Sequence, residues 1–236
     1  MYNKLVNYLS KERLKPYIEL TNNSNEAIDL YEINVIVSHS LYVLLQFLEI
    51  GLRNKINNQL ISKFGEEWYF NRDLILGEDI QKGTETVNAI KEVVERIKGR
   101  KIEKKLKDIT VTNNDVISNM SFGFWVNLFC GNYQNTFWNK SLKHLFKNFK
   151  RKELNSILNK IRILRNRVFH HESIITDKKS FKEHLDLVLD MLKILYDEEV
   201  NLYIYNISDL KRFINRIYKI VENRATNNHD LGAPLN

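Results

Sequence analysis

The chain has 236 residues, 43% of them hydrophobic and 28% charged, so it can bury a core and carries too much charge to be built of membrane spans. A single cysteine, Cys130, excludes an intrachain disulfide and a cysteine-based zinc site. The net charge of +7 suits a polyanionic partner, RNA or DNA, although the many Asn, Ile and Lys residues typical of AT-rich coding give the same excess with no partner at all.

No unbroken apolar run approaches the roughly 18 to 20 residues that span a bilayer. Met1 to Leu20 mixes Lys, Glu, Arg and Asn, unlike a signal peptide. Both features predict a cytoplasmic protein without a membrane role. Two prolines and eight glycines are too few to punctuate the chain often, so long helices are expected.

Ser10 is placed to cap a short helix that Pro16 interrupts. Asn22-Asn23-Ser24-Asn25 reads as a turn, with Ser24 or Asn25 capping the next helix. From Glu26 to about Phe64 the pattern is helical, with Leu41, Leu44, Leu45, Leu48 and Leu52 on one stripe. A bend or break should divide so long a run, and Gly65 ends it. A polar helix is predicted from Glu78 to Lys98, its apolar face formed by Val87, Ile90, Val94 and Ile97. The basic stretch Lys98 to Lys107 follows. Its ordinary reading is a solvated helix end; the sharper one is an RNA-backbone contact through Arg100, Lys101, Lys104 and Lys105.

Thr112-Asn113-Asn114 marks another turn. Ser121-Phe122-Gly123-Phe124-Trp125 is aromatic enough to be core. Further helices are expected at Trp138 to Phe149, Arg151 to His171, Ser180 to Asp197 and Ser208 to Asn223, with Leu202 to Tyr205 as a short extended piece. No tandem repeat or linker divides the chain. The expectation is one all-α domain over residues 1–224, followed by a disordered tail, 225–236.

In the helix that begins near Arg151, Leu154, Ile157, Leu158, Ile161, Leu164 and Val168 share one arc. Arg165 falls in the middle of that arc, where a core-facing helix should carry a Leu. A permanent charge there requires an acidic partner, a phosphate or a wet cleft. Asn166 and His170 are four apart and share a face. Arg165 and His170 are five apart and diverge by roughly 140° on a straight helix. They serve one site only if the helix ends there or if two such helices face each other. The ordinary explanations are a buried ion pair for Arg165 and a helix-end cap for His170.

The segment Leu164-Arg165-Asn166-Arg167-Val168-Phe169-His170-His171-Glu172 resembles the Arg-Asn-x-x-x-His signature of HEPN ribonuclease domains. Three further stretches resemble the Abi-like, abortive-infection branch of that group: Leu30-Tyr31-Glu32-Ile33-Asn34, Leu48-Glu49-Ile50-Gly51-Leu52-Arg53-Asn54 and Ser121-Phe122-Gly123-Phe124-Trp125. Order and spacing match as well. Ser173 departs from the resemblance, since many relatives carry Pro after the His-His-Glu run.

The resemblance implies a HEPN-type helical bundle with extra N-terminal helices. It also implies an RNase that needs no metal or other cofactor, often a dimer whose two motifs face one another. Attack by a ribose 2′-OH needs a base, an acid and positive charge on the phosphorane. Imidazole titrates near neutrality, and a guanidinium matches phosphate oxygens. The roles expected are acid/base for His170, phosphate stabiliser for Arg165 and site orienter for Asn166. His171 fits the loose motif spacing and shares or takes the acid/base role. Arg167 is a candidate RNA contact.

Glu49 and Arg53 read either as an intrahelical pair or, more sharply, with Glu49 crossing to hold Arg165. Arg53-Asn54 echoes Arg165-Asn166, but Asn58 stands where a histidine would be needed. His170, His171 and Glu172 are consecutive and cannot converge on one metal from a helix. The leading reading is therefore an endoribonuclease of phage-defence or toxin–antitoxin type, leaving a 2′,3′-cyclic phosphate. Its expected partners are RNA, a second copy of the chain, and an antitoxin that could be a noncoding RNA. The alternative is a non-catalytic RNA-binding or regulatory HEPN protein; a third reading is the HEPN partner of a nucleotidyltransferase.

Overall fold

The structure, a computed structural model, describes residues 2–21, 23–104, 110–175 and 178–210. Among them every regular element is helical and there is no strand, so the fold class is all-α. The α-helices are α1 (Tyr2–Leu9), α2 (Lys11–Thr21), α3 (Ser24–Phe64), α4 (Arg72–Leu76), α5 (Ile80–Glu103), α6 (Asn113–Asn119), α7 (Phe122–Asn127), α8 (Arg151–Phe169), α9 (Lys178–Leu195) and α10 (Glu198–Ile207). The expected tail 225–236 lies outside the described residues, as does all but the start of the helix predicted from Ser208 to Asn223.

Local chemistry sets most of the boundaries. Ser10, at φ +73°, accepts the Arg13 N–H at 3.3 Å and so starts α2. Pro16 lies inside α2 without interrupting it, because its missing N–H removes only one bond near the helix start. Asn23, rather than Ser24 or Asn25, caps α3: its Oδ1 accepts from the N–H groups of Asn25 at 2.8 Å and Glu26 at 3.3 Å. No break divides α3, which is assigned as one helix of 41 residues. Gly51 is the one glycine within it, too little to break a run of good helix formers. Gly65, at φ +89°, ends it as predicted.

By length and composition α3 is also able to cross a membrane; its most apolar 18-residue window has a mean hydropathy of 1.7, with 39% of it buried. A search for unbroken apolar runs misses this window because Ser38, His39, Ser40 and Gln46 interrupt it. Leu41, Leu44, Leu45, Leu48 and Leu52 are at most 1% exposed.

Contacts divide the chain into two compact units. The first comprises Met1–Leu48 and Ile163–Asn236, the second Glu49–Arg162. In the first, Tyr17 meets Tyr31 edge-on at 5.4 Å, and the Tyr196 hydroxyl donates to the Phe47 carbonyl at 2.8 Å. Residues Leu202 to Tyr205 are helical, not extended, because Asp197 caps α10 by accepting the Val200 N–H at 2.9 Å.

The second unit is built around Trp68. Its ring lies 6.1 Å from Trp125 and 5.8 Å from Phe137, and its Nε1 donates to Asn57 at 3.0 Å. Ser121-Phe122-Gly123-Phe124-Trp125 is core, as expected, with Phe122, Phe124 and Trp125 buried. Ile90 and Ile97 of the predicted α5 face are buried, but with Gly83, Thr86 and Val93 beside them, while Val87 and Val94 are only half-buried. Gly83 sets that rotation: a Cβ there would lie 2.0 Å from the Leu76 carbonyl oxygen. The helix expected at Trp138 to Phe149 is absent. Gln134–Trp138 forms one π-turn and Leu142–His144 one 3-10 turn. Ser141, at φ −147°, interrupts the run, and its buried hydroxyl accepts from Gln59 at 3.3 Å.

Candidate functional site

The apolar arc of α8 is buried at Leu154, Leu158, Ile161, Leu164 and Val168. Its last turn carries Arg165, Asn166 and Arg167, and it ends at Phe169. His170 is therefore the first residue beyond the helix. The His171 N–H bonds to the Val168 carbonyl at 3.2 Å and the Glu172 N–H to the Arg167 carbonyl at 2.8 Å, while His171 sits at φ +58°. These two bonds and the left-handed residue form a Schellman ending. A glycine would take that position at lower cost, so His171 holds a strained backbone at the motif.

The chain leaving the helix is pinned from two sides within the first unit. The side chain of Asn34, 3% exposed, donates to the Glu172 carbonyl at 3.3 Å and accepts the Ile174 N–H at 2.9 Å. Arg13 of α2 donates to the His171 carbonyl through its guanidinium. Burial pushes the nearby Tyr17 phenol above its ordinary pKa.

Arg165 is half-buried, with its guanidinium carbon 3.9 Å above the centre of the Phe169 ring. Phe169 in turn packs on Tyr42 at 4.9 Å. Asn166, His170 and His171 are exposed, and Arg167 is half-buried. His170 and Arg167 line a cavity of about 640 Å³ together with Ser10, Arg13, Glu172 and Ser173. A neighbouring cavity of about 520 Å³ is lined by His171 with Arg13, Asn34, His39, Tyr42 and Val168. The helix end thus sends the two histidines to different hollows, and Arg13 borders both. Arg13 carries no sequence signal for such a role, and Asn34 stands out only as the end of the Leu30–Asn34 stretch; each lies well over a hundred residues from the motif, and only the fold brings them there.

Glu49 and Arg53 stand on the part of α3 in the second unit, where Arg53 donates to Asn54 Oδ1 at 3.2 Å. Of the basic stretch, Lys101 pairs with Asp115 at 2.9 Å, and Arg100 donates to Asn119 at 2.6 Å. Both serve α6, whose Thr112 and Asp115 form a capping box. Lys104 ends α5, and Lys105 lies outside the described residues. Among the described residues no three His, Cys, Asp or Glu side chains gather as a metal site requires.

A family model described as Abi-like protein matches residues 2–176 of the chain. No curated protein and no solved structure gives a match.

Proposed function

The chain belongs to the Abi-like protein family, and from that premise we propose that it is a HEPN-type endoribonuclease acting in the cytoplasm as a phage-defence or toxin–antitoxin effector. The observation that carries this reading is the end of α8. It presents His170 outside the helix, on a cavity whose lining includes the cations Arg13 and Arg167 and the acids Glu12 and Glu172.

Cleavage begins with the ribose 2′-OH attacking the adjacent phosphorus. One group removes the hydroxyl proton while a second protonates the departing 5′-oxygen, which leaves a 2′,3′-cyclic phosphate and a free 5′-OH. His170 is one of the two, and guanidinium groups neutralise the phosphorane. A single imidazole cannot be base and acid in the same step. A homodimer with facing motifs supplies the second His170 and places the Arg165 of each copy toward the other's site. Neither metal nor cofactor enters this scheme, and a bound antitoxin, RNA or protein, would restrain it.

The non-catalytic RNA-binding reading is favoured by one observation, that Arg165 is engaged with Phe169 and is not among the residues lining the His170 cavity. Expression of the wild type, His170→Ala and Arg165→Ala, followed by analysis of cellular RNA, separates the two. Loss of an acid/base group costs about 10² to 10⁴ in rate, so both variants should fold, leave RNA intact and permit growth. With purified protein, cleavage should persist in EDTA and fail on a substrate with 2′-deoxyribose at the cut. EDTA sensitivity or 5′-phosphate ends would overturn the mechanism. RNA left intact by a wild-type protein freed of any bound inhibitor would favour the binder.

A further inference from the structure

The second unit carries a concentration of positive charge that the motif does not use. Between Asp115 and Glu153 the sequence contains no acidic residue, while six cations, Lys140, Lys143, Lys147, Lys150, Arg151 and Lys152, fall between Trp138 and Glu153. Because Ser141 stops residues 138–149 from forming one helix, Lys143 and Lys147 are not spread around a cylinder, and Lys150 and Lys152 stand at the start of α8. Lys143, Lys147, Lys150 and Lys152 instead line one cleft of about 590 Å³, and all four are exposed.

The cleft wall is fixed from behind. Arg151 donates to the Gln134 side-chain oxygen and, at 2.7 Å, to the Phe129 carbonyl. Its charge is thereby tied to the fold while the four lysines remain at the cleft. Trp138 and the half-buried Phe149 supply the apolar part of the lining, and His144 the remaining titratable group. The contrast with α5 is direct. There Lys98 pairs with Glu95 at 3.0 Å and Lys101 with Asp115 at 2.9 Å, so two of the cations already have carboxylate partners. In the 138–152 stretch no carboxylate is present to do so, and like charges crowded together raise the free energy of the empty cleft.

We propose that this cleft binds the phosphodiester backbone of a single RNA strand. Ammonium groups act as point charges on phosphates without regard to sequence, and of the two rings only the half-buried Phe149 leaves part of a face for a base. The choice of RNA as the polyanion rests on the ribonuclease reading of the motif. The binding itself does not require that the motif be catalytic.

The test uses the full chain carrying His170→Ala, so that bound RNA is not cut, and a fluorescently labelled 20-nucleotide RNA titrated by anisotropy over a salt series. Each phosphate contact to a single strand contributes about 0.7 to the slope of log affinity against log salt. Replacing Lys143, Lys147, Lys150 and Lys152 by Gln should weaken binding at least about tenfold and flatten the slope by about 2 to 3. The Lys→Arg version of the same set should keep affinity within about twofold, which separates loss of charge from loss of fold. Unchanged affinity and slope in the Gln set would overturn the proposal. So would an equal fall in both sets, or loss of anionic-vesicle binding with RNA binding intact. Because the readout is binding in a His170→Ala background, a wild type that proved unable to cleave RNA would leave this result standing.

Discussion

The guanidinium of Arg165 lies over the ring of Phe169, one turn further along α8, with 3.9 Å between the guanidinium carbon and the ring centroid. Residues four apart on a helix meet in this way, and the pairing orients a charge placed on an otherwise apolar arc. Tyr42 of α3 packs on the same ring at 4.9 Å and gives Phe169 a second contact.

Phe169→Leu removes the ring face and keeps most of the apolar volume. Cation–π contacts are worth about 0.5 to 2 kcal/mol, so RNA cleavage should fall about tenfold. The urea midpoint should move much less than for Phe169→Ala, which also opens a gap beside Tyr42. Wild-type activity in the Leu variant would show that Arg165 is held by other groups.

Asn34 is the second support. Its amide satisfies the Ile174 N–H and the Glu172 carbonyl together, the oxygen accepting from the first and the nitrogen donating to the second. Asn34→Leu leaves the buried Ile174 N–H without a partner, at about 1 to 3 kcal/mol. Urea unfolding should register that loss. Asn34→Asp keeps the acceptor and loses the donor, so it should fall between the two.

Much of this architecture could be read in the sequence. The stripe through Leu41 and Leu52, the glycine at position 65 and the arc of α8 are local patterns, and local patterns survive tertiary context. The errors have tertiary causes. Asn23 displaced Ser24 as a cap by a one-residue shift that no composition reveals. Gly83 rotated α5 because Leu76 approaches its backbone. Ser141 broke a helix by bonding to Gln59, 82 residues away. The motif itself was legible, but Arg13 and the pinning role of Asn34 were not, since each reaches the motif only through folding. In the basic cluster that the composition makes prominent, Lys98, Arg100 and Lys101 have partners on α5 or α6, whereas the cluster after Trp138 lies in a stretch whose pattern reads as an ordinary helix.

Asp115 provides a pH test of the α5–α6 region. The Thr112 N–H, and after it the Lys101 ammonium, hold its carboxyl at about 2, below the usual carboxylate range. A carboxyl depressed in the folded state stabilises that state above its unfolded pKa of about 4. That contribution is lost as pH falls from about 4 toward about 2. Asp115→Asn should therefore lower the urea midpoint near neutrality and converge with the wild type as the pH drops through that window. A gap that stayed constant with pH would mean that the carboxylate charge contributes nothing.

His171 allows the two histidines to be told apart. Its backbone, at φ +58°, closes the Schellman ending of α8, and its carbonyl receives Arg13. Both are main-chain services that a glycine performs as well, and glycine does so without the roughly 1 to 2 kcal/mol that a side chain costs in the left-handed region. His171→Gly should therefore raise the urea midpoint or leave it unchanged, even though it removes a bulky residue. If His170 is the acid/base group, cleavage by His171→Gly should stay within a few-fold of wild type, whereas His170→Ala should lose about 10² to 10⁴. His171→Ala separates the side chain from the backbone, since it removes the imidazole but keeps the strain. Two variants that both lose cleavage as completely as His170→Ala, with folding intact, would move the acid/base role to His171 and to the cavity it lines with His39 and Tyr42.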